Sequence, residues 1–192
     1  IISNLRKQDE MIKFNPFPEI NSKKLILRQI LETDYEAILY LRSDETINKF
    51  IERPENRKTR NSSDAIKFIQ QLNENIETNK SISWGITLKN NPKIIGTICL
   101  WNFSENHKVA EVGYDLEPDF QGKGIMSESL KSVLEYGFKN LNLDIIEAYT
   151  HQKNENSKTL LARNNFKLIL GKKDEENLNN VIFEIKNPIL NK

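Results

Sequence analysis

The stretch Asp119-Phe120-Gln121-Gly122-Lys123-Gly124-Ile125-Met126-Ser127-Glu128 constrains this chain most, because it joins an extended run to an amphipathic helix through a glycine-containing loop. Upstream, Val109-Ala110-Glu111-Val112-Gly113-Tyr114-Asp115-Leu116 has the β-branched and aromatic content of a strand. Pro118 ends it, having no N–H for a ladder. Downstream, Met126, Leu130, Val133, Leu134, Phe138 and Leu141 recur at helical spacing and give one apolar face. The loop therefore sits at a helix N-terminus, where unpaired N–H groups and the positive end of the helix dipole favour an anion such as a pyrophosphate. Gly122 and Gly124 would let the backbone approach its oxygens closely. A plain tight turn before a surface helix needs glycine too, so the spacing alone leaves both readings open. Lys123 either adds charge to the loop or points to water.

A second segment, Asn154-Glu155-Asn156-Ser157-Lys158-Thr159-Leu160-Leu161-Ala162-Arg163-Asn164-Asn165-Phe166, reads as a short helix. Asn154 and Ser157 are good capping residues. Asn165 suits the left-handed position that closes a helix.

Around these segments the pattern predicts a first strand over Lys24–Ile30 and a helix capped by Thr33 or Asp34 running to about Leu41. A second helix starts at Ser62 or Ser63 and buries Ile66, Ile69, Leu72 and Ile76. Ser81–Leu88 and Ile94–Trp101 form a hairpin around the joint Lys89-Asn90-Asn91-Pro92-Lys93. Ile145–Thr150 follows a helical crossover and is expected parallel to the strand before it. Phe166–Leu170 and Val181–Ile185 close the sheet as a last hairpin.

The chain of 192 residues has room for one sizeable core, so residues 11–192 read as a single domain and residues 1–10, ahead of Met11, as a tail or arm. Lys and Arg total 28 against 27 Asp and Glu, a net charge of +1, which gives no global field to recruit nucleic acid or an anionic membrane. Cys99 is the only cysteine and falls in an apolar run, where it reads as a small buried hydrophobe. No disulfide can form within the chain, and no apolar run is long enough for a membrane span, which together point to a cytoplasmic protein. His107, His151 and Cys99 have no metal-ligand spacing.

Taken from Glu111-Val112-Gly113-Tyr114 to Glu128, the loop resembles motif A of the GNAT superfamily of acetyl-CoA-dependent N-acetyltransferases, Gln/Arg-x-x-Gly-x-Gly/Ala. Gln121 takes the first place and Gly124 the second; Met126 takes the third, where Gly or Ala is usual. The string is most similar to the branch that acetylates ribosomal-protein N-termini, which often carries a larger residue there. Asn154–Phe166 resembles motif B, with Asn165 replacing glycine and Leu161 standing where many relatives have tyrosine. The resemblance spans Asn21 to Lys186. It implies an α+β fold of the α/β/α GNAT type: a mixed, mostly antiparallel central sheet with one parallel pair splayed at the cofactor site and helices on both faces.

The same resemblance implies acetyl-CoA as co-substrate. Its pantetheine arm would lie in the splay, against backbone near Leu116 and beside Asn154. Its pyrophosphate would rest on Gln121, Gly122, Lys123, Gly124, Ile125, Met126 and Ser127, with Lys158 approaching the phosphates. Glu111 matches a glutamate that acts as base, through water; a solvent-facing strand carboxylate is the other reading, and His151 the other base. Ser157 is the nearest hydroxyl for the departing sulfur. The implied acceptor is a protein N-terminal α-amine, as on a ribosomal protein; the alternatives are a small-molecule amine or a catalytically silent acyl-CoA-binding module. A homodimer is left open. Deprotonating a lysine-like amine at pH 7 costs about 4.6 kcal/mol, against about 1.1 kcal/mol for an α-amine. The α-amine needs less help from a base. The Phe50–Arg60 stretch, polar and carrying Arg53, Arg57, Lys58 and Arg60, borders the substrate site in such enzymes and reads equally as a solvated loop.

Overall fold

Period-two runs gather into one eight-stranded sheet in a computed structural model whose described residues are 12–188. The strands are β1 (Ile20–Asn21), β2 (Leu25–Arg28), β3 (Ile82–Leu88), β4 (Asn91–Trp101), β5 (Val109–Leu116), β6 (Ile145–His151), β7 (Lys167–Leu168) and β8 (Asn180–Lys186). Their order is β1-β2-β3-β4-β5-β6-β8-β7, and β5 with β6 is the single parallel pair. Helices α1 (Tyr35–Ser43), α2 (Ser62–Glu77), α3 (Ile125–Lys139) and α4 (Glu155–Arg163) pack on the sheet. The tail expected at residues 1–10 lies outside the described residues. No helix among the described residues is long and apolar enough to cross a membrane.

Neighbouring residues of β3 show that both faces are covered, as expected. Trp84 points to α3, where its ring meets Tyr136 edge-on at 5.5 Å between centroids. At Gly85, the next residue, a Cβ would run into Ile94 and Ile30, which belong to a second apolar cluster with Ile38, Leu41, Ala65 and Ile69 of α1 and α2. Since successive strand residues face opposite ways, the two clusters sit on opposite sides.

Several boundaries differ from the sequence reading, each for a local reason. Asn61, not Ser62 or Ser63, caps α2, its Oδ1 accepting from the Asp64 N–H at 3.0 Å. Of the positions assigned to the buried stripe, Ile69 and Ile76 are buried while Ile66 and Leu72 are half-buried, and Ala65 is buried instead. Asp34, one of the two expected residues, is the N-cap of α1, but its side chain makes no bond into the helix; a short 3-10 turn over Glu32–Asp34 precedes α1, and Asp34 accepts from the Leu31 N–H and from both Nη atoms of Arg28 at 2.8 Å. The first hairpin closes through Lys89 and Asn90, with Pro92 and Lys93 absorbed into an irregular stretch of β4. A proline without a donor is tolerated at such a bulge. The last hairpin is shorter than expected: β7 stops at Leu168, and Leu170 is exposed.

Close strand approach makes one position intolerant. A Cβ on Gly96 would lie 2.5 Å from the Asp115 carbonyl oxygen and 3.2 Å from Leu116 Cα, both backbone atoms of β5. Gly96→Ala is expected to lower the unfolding free energy by about 1–3 kcal/mol, read from the midpoint of urea denaturation. Gly113→Ala, whose new methyl would meet the movable Cys99 Sγ at 3.2 Å, should cost less.

Candidate active site

The anion loop is assembled by backbone geometry. Beyond β5, the Glu117 N–H donates to Ile95 O, a 3-10 turn over Pro118–Phe120 follows, and Gln121 Nε2 donates back to Leu116 O at 3.0 Å. Gly122 and Gly124 then take φ of +72° and +78°, a region L side chains avoid. Gly124 is the N-cap of α3, and a Cβ on either glycine would have nothing within 4 Å. The space in front of the helix start is open. Ile125 and Met126 bury their side chains, so what they offer that space is backbone N–H.

Two contacts fix this helix end. Glu128 Oε1 accepts from Ser22 Oγ and from the Lys24 N–H, both at 2.7 Å. Burial pushes this carboxyl up, but those hydrogen bonds and the charges of Lys24 and Lys23 outweigh it and hold the pKa below the usual carboxylate range. Ser127 Oγ donates to Asn164 Oδ1 at 3.1 Å, tying α3 to the end of α4.

The parallel ladder is short. It pairs Val109, Ala110 and Glu111 with Ile145, Ile146 and Glu147, and beyond that point the strands part. Strand β5 stays paired with β4 through Leu116, and β6 with β8 through His151. The resulting gap opens into a cleft of about 890 Å³ that reaches the glycine loop and the start of α4. Leu116, Gln121, Gly122, Gly124, Ile125, Met126, Ser127, Asn154 and Ser157 line it, as does His151. Lys123 is exposed, its Nζ 5.8 Å from the centre of the Phe120 ring, and Lys158 turns away to Gln152 O and Glu155. Neither lysine lines the cleft.

Glu111 is not in the cleft lining either. Tyr114 reaches α4, so by alternation Glu111, Gly113 and Asp115 face the opposite side of the sheet, toward α1. Glu111 and Glu147 are the last paired residues before the gap and stand side by side at its throat. They differ in their partners. Glu147 is held by Lys172 Nζ at 2.5 and 2.7 Å and by Tyr149 Oη at 3.1 Å. Among the described residues Glu111 has the Asn102 Nδ2 bond, at 3.3 Å, and no ion pair. Burial pushes its pKa up to about 7; the Asn102 bond opposes this, and Asp174, Glu147 and Glu176 add to it. A carboxylate at that value exchanges protons near neutrality.

His151 offers less as a base. Its Nδ1 accepts from the Lys153 N–H at 3.1 Å, which places the ring proton on Nε2, and its ring lies 5.3 Å from Phe50. Asn154 is the N-cap of α4, its Oδ1 accepting from the Ser157 N–H at 3.1 Å. Asn165 has φ of +65°, the left-handed conformation expected of it. Cys99 is half-buried, less than expected, and burial pushes its thiol up to about 12, which leaves it inert as a nucleophile.

The acceptor-side segment divides in two. Ile47, Phe50, Ile51 and Glu52 border the cleft. Much of the remainder is tied down: Arg42 of α1 lies over the Phe68 ring at 3.6 Å and donates to Thr59 Oγ1 and Arg57 O, Arg53 bonds Asn48, and Glu55 pairs with Lys58 and Arg60. Tyr114 was not among the residues expected at the site, although its place in the alternation Ala110-Val112-Tyr114-Leu116 puts it on the helix-facing side.

Residues 24–167 match the family model described as an acetyltransferase (GNAT) domain. The chain belongs to the GNAT acetyltransferase family. It is 33% identical over 152 residues to the uncharacterized N-acetyltransferase YoaA of Bacillus subtilis, covering 78% of this chain and 83% of that protein. Its fold is similar to that of the ribosomal-protein-S5-alanine acetyltransferase of Vibrio fischeri, with a TM-score of 0.76, 23% identity, and 89% and 97% of the two chains covered. It is also similar to RimL, a ribosomal L7/L12 alpha-N-protein acetyltransferase in complex with coenzyme A, with a TM-score of 0.75, 20% identity, and 88% and 98% covered. The chain is thus an N-acetyltransferase whose donor is acetyl-CoA.

The open space at the glycine loop supplies a direct test. Gly124→Glu is expected to leave a folded protein by circular dichroism and to abolish acetyl-CoA binding by calorimetry, because it puts a carboxylate where phosphate oxygens would lie. The wild-type protein should gain about 2.7 kcal/mol of stability at a hundredfold excess of ligand over its Kd, and the variant none. Unchanged affinity in the variant would place the phosphates elsewhere.

Proposed function

We propose that the chain acetylates a protein N-terminal α-amine, as on a ribosomal protein, with the amine arriving on the Glu111 face and acetyl-CoA entering from the cleft on the other. The observation that carries this reading is the end of the β5–β6 ladder at Glu111, a half-buried carboxyl poised near 7. The backbone N–H groups of Gly122 to Ser127 and the α3 dipole would take the pyrophosphate. Backbone of Val112 to Leu116, which lies beyond the end of the β5–β6 ladder, would bond the pantetheine amides, and a backbone N–H of β5 the carbonyl oxygen as it gains charge.

Glu111 takes the amine proton through a water. An α-amine near 7.8 lies within about one unit of this base, whereas a lysine near 10.4 lies more than about three units above it. This match favours the α-amine. Two of the similar folds also belong to ribosomal-protein acetyltransferases, as their names state. A carboxyl at the end of the β5–β6 ladder and a serine hydroxyl in the cleft support turnover over a silent binding module. An acceptor screen with peptide N-termini, lysine side chains and small amines, read by mass spectrometry, tests the assignment. Acetylation confined to small amines would overturn it.

Glu111→Gln should lower turnover about 10²- to 10⁴-fold at pH 7 and recover part of it toward pH 9, as the amine deprotonates unaided. Stability should move the other way. A folded pKa raised above the unfolded value contributes stability below about pH 4.5 that is lost as pH rises through about 7. The variant, which has no carboxylate to bury, should therefore be more stable than wild type at pH 8 and not at pH 4. Equal denaturation midpoints at pH 8 would argue that this carboxyl is not desolvated.

A further inference from the structure

Tyr114 lies in the cleft and has no part in the chemistry above. Its ring crosses from β5 to the first turn of α4, where its Oη and Ser157 Oγ are 2.8 Å apart. Ser157 is fixed from behind, since its own N–H is bonded to Asn154 Oδ1. Leu161, one turn further along α4, is fully buried, while Ser157 lines the gap together with Asn156, Thr159, Leu160 and Arg163 of the same helix.

Two hydroxyls carry two hydrogens, and one lies between them. The other is left for a ligand. A phenol, with an ordinary pKa near 10, is the stronger acid of the two, so Tyr114 donates to Ser157 and the serine hydrogen points outward. A donor that is itself hydrogen-bonded in this sense is strengthened.

We infer that Tyr114 polarises Ser157 and that the pair holds the departing CoA sulfur as a thiolate by hydrogen bonding, without giving it a proton. The inference rests on the proposed placement of acetyl-CoA. The amine nitrogen forms a bond to the thioester carbonyl carbon, and the C–S bond breaks with its electron pair staying on sulfur. The nitrogen proton leaves through Glu111. The thiolate takes its proton afterwards from water. Burial pushes Tyr114 up to about 12, whereas an ordinary thiol titrates at about 8.5. Passing the proton to sulfur would therefore be uphill by more than about three pH units and would leave a buried phenolate. Glu111 and the hydroxyl pair stand on opposite faces of the sheet, which keeps the outgoing proton and the thiolate apart. Tyr114 is thus a positioning residue acting through Ser157.

The thiol pKa of CoA bound to the enzyme, read from thiolate absorbance, tests this without turnover. In the wild-type complex it should fall about one pH unit below that of free CoA, the effect of one hydrogen bond to a charged atom. Tyr114→Phe and Ser157→Ala should each return it toward the free value, with CoA affinity unchanged at pH 6, where the thiol is protonated, and weaker by up to about tenfold at pH 9. Both variants should lose about tenfold in kcat with KM for acetyl-CoA unchanged, and the double variant should be no slower than Ser157→Ala. A bound thiol pKa that is the same in wild type and Tyr114→Phe, or losses that multiply in the double variant, would overturn the inference while the acetyltransferase reading stands. If CoA does not bind wild type at all, both fall.

Discussion

The site depends on a ladder that stops. Strands β5 and β6 are bonded over three residues each, and from Val112 and Ala148 onward they have no bonds to one another. Neither can close the gap, because β5 is committed to β4 through Leu116 and β6 to β8 through His151. The sheet keeps an internal pair of edges beneath α3 and α4, and backbone groups there need partners. An extended ligand carrying amides satisfies them as an added strand would. The glycine loop then sits at the end of the same strand, so one element leads to both the gap and the open start of α3.

The opened sheet also separates two chemistries. On the α1 side stand carboxyls, of which Glu147 is pinned by Lys172 and Tyr149 while Glu111 is left to titrate. On the α4 side stand neutral hydroxyls. In the proposed reaction, proton uptake and negative charge would be handled through one opening from two directions, a consequence of residues 111 and 114 having opposite parity on one strand.

What the sequence made legible is what local geometry dictates. Gly122, Gly124 and Asn165 adopt left-handed backbone where their residue types allow it, and the helical stripe after Met126 buries Leu130, Val133, Leu134 and Phe138 as spaced. What it hid depends on contacts distant in the chain. The Glu147–Lys172 pair and the Tyr114–Ser157 bond join residues whose proximity only the sheet order creates. The bonds of Lys158 to Gln152 O and Glu155 were likewise not readable from its place in the motif. At the start of α2, Asn61 and the serines after it are all competent caps, and backbone entry angle decides among them.

The Glu128 clamp bears on how the chain folds. It joins the start of α3 to Ser22 and Lys24, 106 and 104 positions earlier. A contact that spans so much chain forms late, after the intervening hairpins have shortened the effective loop. The glycine loop therefore acquires its final stiffness among the last events of folding, and the receptor for the cofactor matures only once the opposite edge of the sheet is in place.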